Sequence, residues 1–102
     1  MLKIGQNNIL NNQKFLSNEP ARDLIHKFEN FKIMRISLKK GIVVEPHAGT
    51  HPVFFLVLKG RGIFTTGSGD IELAENDYVS LKTDEPRGIK SLEDLVILAV
   101  RD

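Results

Sequence analysis

From Lys32 onward this chain is a succession of short apolar runs cut by turn residues, a pattern that leaves little choice but antiparallel β-structure. In KIMRISL, residues 32–38, Met34, Ile36 and Leu38 alternate with Ile33, Arg35 and Ser37, the period of a half-buried strand. Lys39-Lys40-Gly41 then turns the chain, and Ile42 to Glu45 reads as the next strand. PVFFLVL, residues 52–58, is apolar throughout, which predicts a strand covered on both faces. IFTT, a Gly67-Ser68-Gly69-Asp70 hairpin turn, IEL and a second turn at Glu75-Asn76-Asp77 follow. Tyr78 to Leu81, Gly88 to Leu92 and Leu95 to Val100 complete the series. Short strands at this spacing predict a sandwich or small barrel.

The first 31 residues read differently. NNILNNQK is polar, whereas SNEPARDLIHKFENF carries Leu24, Ile25, Phe28 and Phe31 at helical spacing, with Ser17 or Asn18 placed to cap a helix opening near Pro20. The same residues suit an irregular arm that lays its aromatics on a sheet. The expected organisation is an arm over residues 1–31, helical or irregular, packed on a barrel over 32–102, the two making one structural domain.

Composition narrows the partners. Lys and Arg number 14 against 13 Asp and Glu, a net charge of +1. The basic residues are scattered, with Lys39-Lys40 the only adjacent pair, so no nucleic-acid partner is expected. Without cysteine there is no disulfide, thiolate zinc site or cysteine nucleophile. No run approaches the roughly 20 apolar residues of a membrane helix, and MLKIGQNNILNNQ lacks the pattern of a secretory leader. The expectation is a cytoplasmic protein with no membrane partner.

Two spacings carry a resemblance. Gly41, five residues, His47 and then Gly60 thirteen positions later form the first. Asn76 to Ser91, NDYVSLKTDEPRGIKS, forms the second, with fifteen residues between Gly60 and Asn76. Over about residues 32–101 the chain resembles the cupin superfamily in its small, single-domain form. The resemblance implies a double-stranded β-helix, the jelly-roll barrel, paired as a homodimer, with the functional cavity at one mouth and often Fe, Mn, Ni or Zn held there. It also implies a ligand set of two histidines one residue apart, a glutamate on the next strand, and a third histidine from the second motif. Only His47 stands at its place; Gly49, Val53 and Arg87 occupy the other three. The metal-binding motif is degenerate.

A divalent transition metal needs three or four donors at roughly 2.0–2.2 Å, which one imidazole does not supply, and Arg87 brings a permanent positive charge. In an extended strand His51 would lie roughly 13 Å from His47. The turn-like Ala48-Gly49-Thr50 could fold the chain back, so Glu45, His47 and His51 are the candidate metal ligands of an enzyme reading, a dioxygenase or isomerase. No metal is preferred; otherwise His51 is a turn histidine.

A guanidinium directed into a small apolar cavity recognises carboxylate or phosphate through paired hydrogen bonds. The preferred reading is therefore a protein that binds a small anionic organic ligand in the barrel mouth through Arg87 and His47, with His51 and Tyr78 beside them. Arg87 could instead pair with Asp84, Glu85 or Glu93, and Tyr78 could pack in the core with its hydroxyl at the rim. A third reading is a dimeric interaction module without a ligand, its interior filled by Phe54, Leu56, Phe64 and Leu81. No phosphate loop, nucleophile elbow or acid/base carboxylate pair is present.

Overall fold

The computed structural model describes residues 7–102; residues 1–6, where the expected arm begins, lie outside the described residues. The described residues contain nine strands and no helix. They are β1 (Ala21–Lys27), β2 (Lys32–Leu38), β3 (Val43–Ala48), β4 (Val53–Lys59), β5 (Arg61–Thr66), β6 (Gly69–Ala74), β7 (Tyr78–Leu81), β8 (Pro86–Ser91) and β9 (Leu95–Arg101). One antiparallel sheet has the order β1-β2-β9-β4-β7 and the other β3-β8-β5-β6. Face to face, they enclose the core.

The runs read as strands from Lys32 onward are strands, and their turns fall where glycine or asparagine relieves a left-handed backbone. Gly41 at φ 90° and Asn76 at φ 75° are two of these. Residues 21–27 depart from the helical alternative. They pair antiparallel with β2, and the register shifts between Leu24 and His26. That bulge leaves Ile25 out of the register, so two consecutive apolar residues, Leu24 and Ile25, interrupt the strand alternation on what is an edge strand.

The inward face of the larger sheet is built in rows set by strand register. Leu38 and Leu95 pair in the deepest row, Ile36, Ile97 and Val57 form the next, and Met34, Ala99 and Phe55 the one above. Lys32, Arg101 and Val53 close the series at the mouth. Leu38, Leu95, Ile97 and Val57 are wholly buried, as is Phe64 from the facing sheet, which meets the ring of Phe55 at 5.7 Å. Fully burying a side chain of this kind stabilises by about 1.5–3 kcal/mol, so the deep rows hold the two sheets together.

Phe54 and Leu56, expected inside, alternate with these residues and face outward, half-buried. Phe64 and Leu81 do belong to the core. The outer face also carries Arg35, only 5% exposed, whose guanidinium binds the Asp23 carboxylate at 2.9 Å and the carbonyls of Ile9 and Asn11, each at 2.8 Å. The irregular segment ahead of β1 is strapped to the sheet through that side chain.

Candidate functional site

At the open end of the barrel the sheets part over a cavity of about 300 Å³. Its floor is the row of Met34, Ala99 and Phe55 together with Ile36 below and Val44 and Ile89 opposite. Its rim is cationic. Lys32 comes from β2, Arg101 from β9 and Arg87 from β8, with His47 from β3 beside them, and Arg22 lines the cavity from the edge strand β1, opposite Ile36. No aspartate or glutamate among the described residues lines the cavity. Among the described residues no carboxylate is ion-paired with any of these four cations; the ion pairs are Arg35 with Asp23, His51 with Asp102, and Arg61 with Glu72 and Glu93.

His47 and Arg87 sit opposite each other in the β3–β8 ladder, so the pair expected from the sequence does meet at the cavity. The His47 Nδ1 lies 3.2 Å from the Glu45 carbonyl oxygen. A carbonyl only accepts, so Nδ1 carries the proton and Nε2 is left for a further partner.

Arg87 pairs with none of Asp84, Glu85 and Glu93. Its Nη1 donates to the His51 carbonyl at 2.6 Å, its Nη2 to the Lys82 carbonyl at 2.9 Å, and its Nε makes a longer contact of 3.4 Å with the Glu85 carbonyl. A guanidinium has five N–H donors, so part of its capacity remains, and carbonyl dipoles leave its net charge in place. The Glu85 carboxylate is engaged elsewhere, accepting from the backbone N–H groups of Lys82 and Gly67 at 2.9 Å each. Those donors hold its carboxyl below the usual carboxylate range.

The guanidinium also fills a specific volume: a Cβ built at Gly49 would collide with Arg87 Cζ. A bare position at 49 and a long side chain at 87 are thus one packing unit. The two places from which the resemblance would draw histidines share a single side chain between them.

The other expected site residues fall away from this centre. Tyr78 is 64% exposed and stacks on Phe54 at 5.4 Å, on the outer face and outside the cavity lining. Alternation along β4 and β7 sends both rings outward, so Tyr78 packs in no core. His51 contributes its backbone carbonyl to Arg87, while its ring faces Asp102 at 3.4 Å. Glu45 is exposed on β3 and does not line the cavity. Glu45, His47 and His51 therefore do not converge, and no group of three potential metal ligands occurs among the described residues. The mouth offers one imidazole amid four cationic side chains, a donor set that does not fit a divalent metal.

Arg22, Lys32 and Arg101 were not singled out by the sequence. Lys32 and Arg101 become partners only through the pairing of β2 with β9, and Arg22 joins the lining from β1, where it lies opposite Ile36. One signal was available: Lys32 and Arg101 each end an inward-facing alternation, Lys32-Met34-Ile36-Leu38 and Ile97-Ala99-Arg101, where a charged residue marks the strand's exit from the core.

No protein-family model and no curated protein sequence matches this chain. Solved structures do. An RmlC-like cupin protein from Desulfovibrio desulfuricans superposes with a TM-score of 0.85 at 24% identity, covering 97% of this chain and 96% of its own. A conserved protein of unknown function from Streptococcus pyogenes gives 0.83 at 15% identity over 99% and 89% of the two chains. KdgF from Halomonas sp. gives 0.75 at 17% identity over 78% and 74%. The chain has the cupin fold, an all-β double-stranded β-helix.

Proposed function

We propose that the protein binds a small organic anion in the cavity between its sheets, with its charge at the rim of Lys32, Arg87 and Arg101 and Arg22 adding to the positive field from β1, and that it works as a binding protein without a tightly held metal. The observation that carries this reading is the presence of four cationic side chains around an apolar cavity that no carboxylate lines among the described residues. Gathering like charges raises their mutual repulsion, and an anion relieves it where low-dielectric walls focus the field. His47 Nε2 adds a polar group at the same rim. A cavity of this size does not suit the module with a filled interior. The metal-enzyme alternative would require donors other than Glu45, His47 and His51.

Titration of the protein with small carboxylates and phosphate at low ionic strength tests the reading. Binding is expected to weaken as salt is added. A Lys32→Gln, Arg101→Gln double variant, which touches neither the deep rows nor the Arg87 carbonyl contacts, should lose at least about tenfold in affinity, or ~1.4 kcal/mol. Equal affinity in the wild type and the variant rejects the rim as an anion site.

The same reading includes a homodimer and no nucleic-acid or membrane partner, in a cytoplasmic setting. What supports dimerisation is the exposed edge strand β1 with Leu24 and Ile25, next to the Phe28 and Phe31 rings, all apolar and substantially exposed. Light scattering at micromolar concentration decides it, and a monomer mass overturns it. No described helix is long and apolar enough to cross a membrane.

A further inference from the structure

The cavity says more about its occupant than the sign of its charge. Below the rim, Met34, Ile36, Phe55 and Ile89 present only carbon and sulfur, and among the described residues the lining contains no serine, threonine, asparagine, glutamine or tyrosine. Hydroxyls on the part of a ligand that lies against Met34, Phe55 and Ile89 therefore find no side-chain partner there, the charged donors and the His47 ring being the polar groups of the lining. A polyol or sugar acid inserted here would strip water from the hydroxyls lying on that apolar surface without replacing it, and such unmet groups are strongly selected against. Inorganic phosphate could reach the rim but would leave the apolar floor wet. A hydrocarbon body gains from the floor what these ligands lose.

We propose that the ligand is a compact carboxylic acid with an unfunctionalised hydrocarbon body, short aliphatic or monocyclic aromatic, seated body-down on the Met34–Phe55–Ile89 floor with its carboxylate among the rim cations. This rests on the anion-binding reading above. The two parts of the ligand answer to two separate tiers of the cavity. The rim sets charge, and the floor sets polarity and size.

A matched series of ligands titrated into the full chain by calorimetry separates the tiers: acetate, butyrate, hexanoate and benzoate, against glucuronate, inorganic phosphate and neutral hexanamide. Affinity is expected to rise roughly fourfold per methylene from acetate to butyrate, with hexanoate or benzoate the tightest. Glucuronate and phosphate should bind no tighter than acetate, and hexanamide at least tenfold more weakly than hexanoate. Glucuronate or phosphate matching hexanoate, with all of them weakened by the Lys32→Gln, Arg101→Gln change, would overturn the hydrocarbon body and leave the anion site standing. Hexanamide equal to hexanoate would remove the anion site while keeping an apolar cavity. Failure of every ligand at millimolar concentration would remove both.

Discussion

Two arginines, one on each sheet, make a controlled comparison. Arg35, on the outer face of the larger sheet, and Arg87, at the cavity mouth of the smaller one, both hold the chain by donating to backbone carbonyls. Arg35 also has Asp23, so its charge is matched within the molecule. Arg87 has no carboxylate partner, and the nearest acid along the chain, Glu85, is turned toward Lys82 and Gly67. The difference teaches how to separate a fastening from a site. Carbonyl contacts alone satisfy hydrogen bonds, whereas only an opposite charge satisfies a cation, and a mouth with several unmatched cations retains the capacity to attract an anion from solution.

The largest effect should come from breaking the matched member. Arg35→Met leaves the half-exposed Asp23 and the carbonyls of Ile9 and Asn11 without their donor, and should cost about 2 kcal/mol, since several hydrogen bonds from one buried guanidinium are lost together. Urea denaturation measures the loss, and limited proteolysis should find the segment ahead of β1 newly accessible. Arg87→Met should cost only about 1 kcal/mol, because the freed carbonyls lie near solvent and water can replace the donor. Anion affinity should nevertheless fall. Equal destabilisation by the two changes would abolish the contrast.

A double-mutant cycle sharpens the Arg87 side. Gly49→Ala forces the guanidinium off its seat and should destabilise the wild type by about 1 kcal/mol, yet become neutral or slightly stabilising in an Arg87→Ala background, where the space is vacant and the alanine restricts the unfolded chain. Additive effects would show that the two positions do not share a volume.

The smallest effect concerns acid. Because its backbone donors depress the Glu85 pKa in the folded protein, the stabilisation is complete above the ordinary carboxylate pKa and fades as pH falls through the depressed one. Stability measured from neutral pH into acid should therefore decline more in the wild type than in Glu85→Gln, with the curves converging at the acid end. Parallel curves would remove Glu85 from the account of why Arg87 stays unmatched.

Much of the fold was legible because strand period and turn chemistry are local. KIMRISL and the turns at Gly41 and Asn76 specify themselves within a few residues, and the structure follows them. The segment ARDLIHK was ambiguous for a physical reason: a bulge at Ile25 breaks the alternation that would have announced β1, and pairing with β2 settles the matter from outside the segment. The site was half legible. His47 and Arg87 were found because they hold positions in recognisable spacings, but what Arg87 does there depends on carbonyls at 51, 82 and 85 that no sequence pattern displays. Arg22, Lys32 and Arg101 are joined only by sheet order. Tyr78 was misplaced because the inward or outward sense of a four-residue strand is fixed by its neighbour β4.

The rows between the sheets have a consequence for how such a molecule can change. Cohesion is concentrated at one end, in Leu38, Leu95, Ile97, Val57 and Phe64, while the cationic side chains stand at the other. Substitutions at the open end can therefore exchange one chemical specificity for another while the scaffold keeps its shape, which makes this barrel a socket whose fittings are replaceable one at a time.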